Sequence, residues 1–315
     1  MRVRPGRRGL PVRKTQHSPR ADHRQELAHL QAWQAQAGRP AKASRNGNGR
    51  KPAADLLQRN LALEAELAAL RRQQNELQQA LFGAAQLQRK LCSTRELRRG
   101  RFELASEVFA VRHISGDFYN VLDLGSELAL AVGDIAGKGF LAGLWFTHLI
   151  GLLRIHASSV PGPAAATAAI NRDLFQIQPD PPMAGLFLGR LDPHKGDFIY
   201  CNAGQPPALL LRRNGSVETL REGGPMLGAV AGATFICGRV RLESGDTLVM
   251  YSDGLIECRN ARDEEFGTRG LLAAARAAAG SSASATLFSL LGAVQDFAGG
   301  HSPGDDLTLM VLRHL

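Results

Sequence analysis

The sequence predicts an α+β domain with antiparallel sheet, entered from a long N-terminal helix. Three observations carry this. Pairs of apolar segments are joined by tight turns, the pattern of consecutive hairpins. The helical segments stand apart from those pairs instead of alternating with single strands, which argues against a parallel βαβ sheet. Ahead of both runs a leucine period of 3.5 residues.

Residues 1–52 come first in the chain. Residues 1–51 hold 13 Lys/Arg against two acids, Asp22 and Glu26, so the formal charge of +9 belongs to this segment and the rest of the chain is close to neutral. The segment is rich in Arg, Gln, Gly and Pro and poor in large apolar side chains, so it is expected to be a disordered basic tail, with at most a short helix near Arg24–Gln36. Contact with nucleic acid or an anionic surface is the functional reading. A solvated tail is the simpler one, because Trp33 is its sole aromatic residue, and no nucleic-acid partner is expected.

Residues 53–99 are expected to be a helix. Steps of four and three residues pass through Leu56, Asn60, Leu63, Leu67, Leu70, Gln74, Leu77, Leu81, Ala84, Gln88 and Leu91, and seven of these eleven are Leu. This is the seam of a coiled coil, with Asn60, Gln74 and Gln88 as polar positions able to fix register. It predicts a parallel homodimer. The alternative is a helix packed along its own domain.

Residues 100–315 form the predicted domain. Asp117–Leu124 and Glu127–Gly133 flank Gly125-Ser126, a two-residue hairpin turn. Gly185–Leu191 and Asp197–Asn202 flank Pro193–Gly196, and Pro207–Arg213 and Ser216–Leu220 flank Asn214-Gly215. Thr247–Ser252 and Leu307–Arg313 read as further strands. Helices are expected at Gly139–Ala157, Pro163–Gln176, Gly270–Ala279 and near Ser284–Ala298.

Composition excludes several classes. No uninterrupted apolar run reaches the roughly 18–20 residues of a membrane helix. The longest, Phe140–Leu153, contains His148 and reads as a buried helix, so no membrane span is expected. Cys92, Cys201, Cys237 and Cys258 are widely spaced, which argues against a thiolate metal site or a disulfide framework and fits a reducing, cytoplasmic setting. No apolar signal segment follows the basic start, although an Arg-rich transit peptide is compatible with it.

The chemistry-bearing residues are aspartates at strand ends. With a two-residue turn at Gly125-Ser126, facing residues have numbers summing to 251, so Asp117 faces Asp134 with Cβ atoms about 5 Å apart. Like charges set opposite one another are destabilising. A hard divalent cation between them removes that penalty. Asp253 follows the apolar strand Leu248–Tyr251, and Asp305-Asp306 precede another. Each is equally compatible with an ordinary Asx turn.

The order of motifs resembles a known family. Ser115-Gly-Asp117-Phe-Tyr, Val132-Gly-Asp134-Ile135-Ala-Gly-Lys138-Gly, Tyr200-Cys-Asn-Ala-Gly-Gln-Pro-Pro, Gly224-Pro-Met-Leu-Gly, Tyr251-Ser-Asp253-Gly254-Leu-Ile-Glu and Gly304-Asp305-Asp306-Leu-Thr follow one another over about Arg101–Leu315. This resembles the SpoIIE-type branch of the bacterial type 2C (PPM) protein phosphatases. The resemblance implies an αββα sandwich, two antiparallel sheets face to face with helices outside. It implies two Mn²⁺ or Mg²⁺ ions held by Asp117, Asp134, Asp253 and Asp305 with the Ile135 carbonyl, and places Gly254 and Asp306 beside them. It also implies hydrolysis of phosphoserine or phosphothreonine by a metal-activated water, with a phosphorylated anti-sigma-factor antagonist as substrate.

Lys138, before the helix at Gly139, is a phosphate contact or a solvated lysine. The chain departs from the pattern at Ser115, Asn120, Ala136, Gly185 and Gln205, where relatives usually carry Gly, Asp, Ser, Thr and His. These departures motivate the competing reading, a phosphoprotein-binding scaffold with weak or no catalysis.

Overall fold

The computed structural model describes residues 50–92, 95–111, 114–137, 139–301 and 303–315. The basic tail up to residue 49 and Lys138 lie outside the described residues. The described residues divide into two units, residues 50–70 and Arg71–Leu315.

Helix α1 (Arg50–Leu91) carries the leucine period. Leu56, Leu63, Leu70 and Leu77 are exposed, whereas Leu91 packs against the core of the second unit. The helix stops at Leu91 instead of continuing to Arg99. Glu96–Arg99 is instead an edge strand, β1, paired antiparallel with β2 (Phe102–Phe109). Glu-Leu-Arg-Arg has good helix propensity, but pairing with β2 and the packing of Leu97 on the core override it.

Two six-stranded sheets follow. The remaining elements are β3 (Phe118–Asp123), β4 (Leu128–Ile135), α2 (Phe140–Ser159), α3 (Pro163–Ile177), β5 (Ala184–Leu191), β6 (Asp197–Ala203), β7 (Ala208–Leu211), β8 (Val217–Leu220), β9 (Gly223–Gly224), β10 (Gly238–Arg241), β11 (Thr247–Tyr251), α4 (Asp253–Ile256), α5 (Gly267–Ala277), α6 (Ala283–Ala298) and β12 (Leu307–His314). The first sheet runs β1-β2-β12-β11-β7-β8; the second runs β10-β6-β5-β4-β3, with β9 added parallel to β6. All other pairings are antiparallel.

Strand alternation sorts the core into layers. On β11, Leu248 and Met250 join the cluster that includes Phe118, Leu130 and Phe187 of the second sheet, while Val249 and Tyr251 join Leu271 and Leu287 of α5 and α6. Helices α2 and α3 cover the second sheet through Phe146, Ile150, Leu153 and Ile170. The result is the αββα sandwich.

By length and composition, α2 is long and apolar enough to cross a membrane, although no uninterrupted apolar run in it reaches that length. Averaging over 18 residues tolerates His148 and Arg154, which interrupt a strict run. In this fold Phe146, Leu149, Ile150 and Leu153 of α2 are buried in the core.

Candidate metal centre

The site begins with one hairpin. Phe118 pairs with Gly133 and Asp123 with Leu128. Leu124 N–H donates to the Glu127 carbonyl (2.9 Å), closing the Gly125-Ser126 turn. At the open end Ile135 N–H donates to the Gly116 carbonyl (3.3 Å). Asp117 and Asp134 sit between these two pairings and so face one another. Gly116 has no room for a side chain, because a Cβ there would lie 2.8 Å from the Ile135 carbonyl oxygen and 3.2 Å from Asp134 Oδ1.

The other sheet brings three more carboxylates to the same edge. β11 ends at Tyr251 and delivers Asp253 as the first residue of α4; Asp305 and Asp306 precede β12. Because β11 and β12 are antiparallel neighbours, the end of one meets the start of the other. Ser252 N–H donates to the Thr308 carbonyl (3.0 Å), and Thr308 N–H donates to Ser252 Oγ (2.9 Å). Gly254 packs so tightly that a Cβ would lie 2.1 Å from the Asp306 carbonyl oxygen.

The electrostatics tie the group together. Burial pushes the Asp117 carboxyl well above the usual carboxylate range, and the Asp134 charge adds to this. Burial pushes Asp134 up to about 6; a hydrogen bond with Asp117 offsets part of the rise, while Asp253, Asp305 and Asp306 add to it. The hydroxyls of Ser252 and Thr308 ease the Asp117 carboxylate, yet its Oδ2 is buried with no hydrogen-bond partner.

This donor set fits a hard divalent cation: the ligand atoms are all oxygens, and one of them is buried and unpartnered. Among the described residues, no three Asp, Glu, His or Cys side chains are drawn into a closed metal-binding group. The backbone therefore sets the edge, at which the Asp253 and Asp305 side chains are exposed.

Some residues of the site were not legible in the sequence. Asp306 reads as a lesser neighbour of Asp305, but its carboxylate accepts from Val111 N–H (2.8 Å), Ser115 Oγ (2.6 Å) and Gly116 N–H (3.2 Å). Gln88 reads as a register-fixing seam residue; its amide instead hydrogen-bonds the backbone of Ser115. The departures at Gly185 and Gln205 belong together. Gly185 pairs with Asp134 across β4–β5, and a Cβ there would lie 2.6 Å from Gln205 Nε2. The glycine makes the space that the glutamine fills.

A thiolate nucleophile is not supplied by the one Cys-x5-Arg spacing, Cys92 to Arg98. Cys92 is in the core and burial pushes its thiol up to about 11, while Arg98 lies on β1.

The fold is that of PP2C-type phosphatase domains. The SiaA-PP2C domain of Pseudomonas aeruginosa superimposes with a TM-score of 0.67 at 18% identity, over 76% of this chain and 98% of that one. The chain belongs to the SpoIIE family: the model for Stage II sporulation protein E (SpoIIE) matches residues 125–315. It is 25% identical over 255 residues to the phosphoserine phosphatase RsbU of Bacillus subtilis, covering 79% of this chain and 74% of that protein. It is 28% identical over 189 residues to protein IcfG of Synechocystis, covering 51% of this chain and only 30% of IcfG.

Proposed function

We propose that this chain is a metal-dependent phosphoprotein phosphatase acting on phosphoserine or phosphothreonine. The observation that carries it is the convergence of carboxylates from both sheets at one edge, with the field of Asp253, Asp305 and Asp306 reaching Asp134, which is itself opposed to Asp117. Asp117, Asp134, Asp253 and Asp305 would hold two Mn²⁺ or Mg²⁺ ions, with the Ile135 carbonyl assisting. When bound, the ions supply an activated water and screen the phosphate charge. The protein's own part is to hold Asp117 and Asp134 opposed through the hairpin register, and to hold the Asp305-Asp306 segment against the Gly116 loop through Asp306.

The likeness to a phosphoserine phosphatase supports a phosphoprotein substrate, and the motif resemblance to SpoIIE-type phosphatases supports an anti-sigma-factor antagonist in a partner-switching pathway as that substrate. Hydrolysis of a phosphoserine peptide is expected to need Mn²⁺ or Mg²⁺ and to be abolished by chelator. Phosphopeptide binding with no turnover under any divalent ion would replace this reading with that of a scaffold.

The exposed leucines of α1 support a second part of the proposal, a parallel homodimer through that helix. Leu63→Asp with Leu70→Asp should convert a dimer into a monomer in sedimentation velocity. An unchanged mass would place the dimer contact elsewhere or remove it.

A further inference from the structure

We propose that Gln88 is a positioning residue for the metal centre, fixing through Ser115 the loop that carries Asp117 and so coupling the last turns of α1 to the ligands. Its consequence for metal binding rests on the phosphatase reading above; its geometry does not.

Among the described residues of the loop before Asp117, the Gly116 carbonyl pairs with backbone, accepting from Ile135 N–H. Ser115 is buried, and its peptide groups need partners there. Gln88 supplies both. Its Nε2 donates to the Ser115 carbonyl (2.6 Å), and its Oε1 accepts from Ser115 N–H (3.0 Å). One side-chain amide thus pairs with a backbone residue as a neighbouring strand would, across 27 positions in sequence.

Ser115 passes the constraint on. Its Oγ donates to Asp306 Oδ2 (2.6 Å) and accepts from Asp117 N–H (3.0 Å). Asp306 then binds Gly116 N–H and Val111 N–H. Two side chains therefore span the path from α1 to the backbone of Asp117. The pocket beside Gln88, Ser115 and Asp117 has a volume of about 10 Å³, room for at most one water. The position where relatives usually carry Gly holds a serine here, and that hydroxyl makes the relay.

The end of α1 is held separately. The Leu91 carbonyl accepts from Asn120 Nδ2 (3.2 Å) and from Arg154 (2.9 Å). Loss of the Gln88 amide therefore leaves the helix docked, and Gln88→Met, of similar length and without the amide, is the informative variant.

Two measurements on the full chain test the proposal: amide hydrogen exchange without metal, and Mn²⁺ affinity by calorimetry. In Gln88→Met, exchange at Ser115–Asp117 should be about tenfold faster or more, with β11 amides unchanged, and Mn²⁺ binding about 10–100-fold weaker, as for other residues that orient metal ligands. Gln88→Glu, which keeps the acceptor and loses the donor, should fall between. Gln88→Met combined with Ser115→Ala should be little worse than the poorer single variant, since both cut one path. Unchanged exchange at Ser115–Asp117, or strictly additive losses, would overturn the proposal. If the wild type binds no Mn²⁺, the phosphatase reading fails and the exchange measurement alone decides the role of Gln88.

Discussion

Replacing Asp134 by Asn should lower Mn²⁺-dependent phosphopeptide hydrolysis by about 10³-fold or more while leaving the fold intact. Asn matches Asp in shape and removes only the charge. Asp134 lies at the end of β4, held by Ile135 N–H on the Gly116 carbonyl on one side and by pairing with Gly185 on the other. Its backbone is therefore fixed whatever its side chain does. Its carboxylate hydrogen-bonds with Asp117 and lies in the fields of Asp253, Asp305 and Asp306, so under the proposed function a cation there is stabilised by several charges at once. Loss of metal-borne charge stabilisation is worth several kcal/mol, or about three powers of ten in rate. Asp306→Asn should cost less, about 10–100-fold, because that carboxylate is spent on the Val111, Ser115 and Gly116 contacts. Steady-state rates with Mn²⁺ held saturating check both. A loss of less than tenfold in Asp134→Asn would remove this residue from the chemistry.

The second large effect is on stability without metal. Asp134 is pushed from an ordinary carboxylate value up to about 6 in the folded chain, and Asp117 is also raised. An acid whose folded value is raised binds its proton more tightly in the native state. Its stability contribution is present below the unfolded value and is lost as pH rises through the folded one. Metal-free protein should therefore lose stability between about pH 4 and pH 6 through Asp134, with Asp117 extending the window upward. Asp134→Asn in chelator should then be more stable than wild type at pH 8 by about 1–2 kcal/mol, after allowance for the partial solvent contact of this group. The two should converge near pH 4.

Divalent ion reverses the order: at 100 times its dissociation constant it adds about 2.7 kcal/mol to wild type and far less to the variant. Denaturant unfolding at both pH values, with and without Mn²⁺, checks this. Equal stability of the two metal-free proteins at pH 8 would show that burial does not penalise the Asp134 charge.

How much of this was legible beforehand follows from the range of the interactions. The first hairpin was readable because its register is a local property, set by Gly125-Ser126 and carried along the strands by alternation. β11 and β12 announced themselves as apolar runs, since both their faces are buried. β1, β2 and β10 did not. Glu96–Arg99 has no strand pattern of its own and is a strand only because β2 pairs with it. Gly238–Arg241 is likewise defined by its partner β6. The hydrogen bonds of Asp306 to the Gly116 loop span about 190 positions, and no spacing rule reaches that far. Gln88 was misread for a related reason. A polar residue at a seam position has several possible partners, and here the partner was a loop backbone of its own chain.

The hairpin register has a consequence for how this chain can change over time. Asp117 and Asp134 are opposed because a turn about eight residues away, roughly 27 Å along the strand, holds two residues and no more. One residue added there, at the solvent-facing tip, would slip every pair by one and turn the strand's facing set over. Surface turns usually tolerate length changes well. Gly125-Ser126 is bound by the spacing at the far end of the ladder, so substitutions should accumulate at these two positions more readily than insertions or deletions.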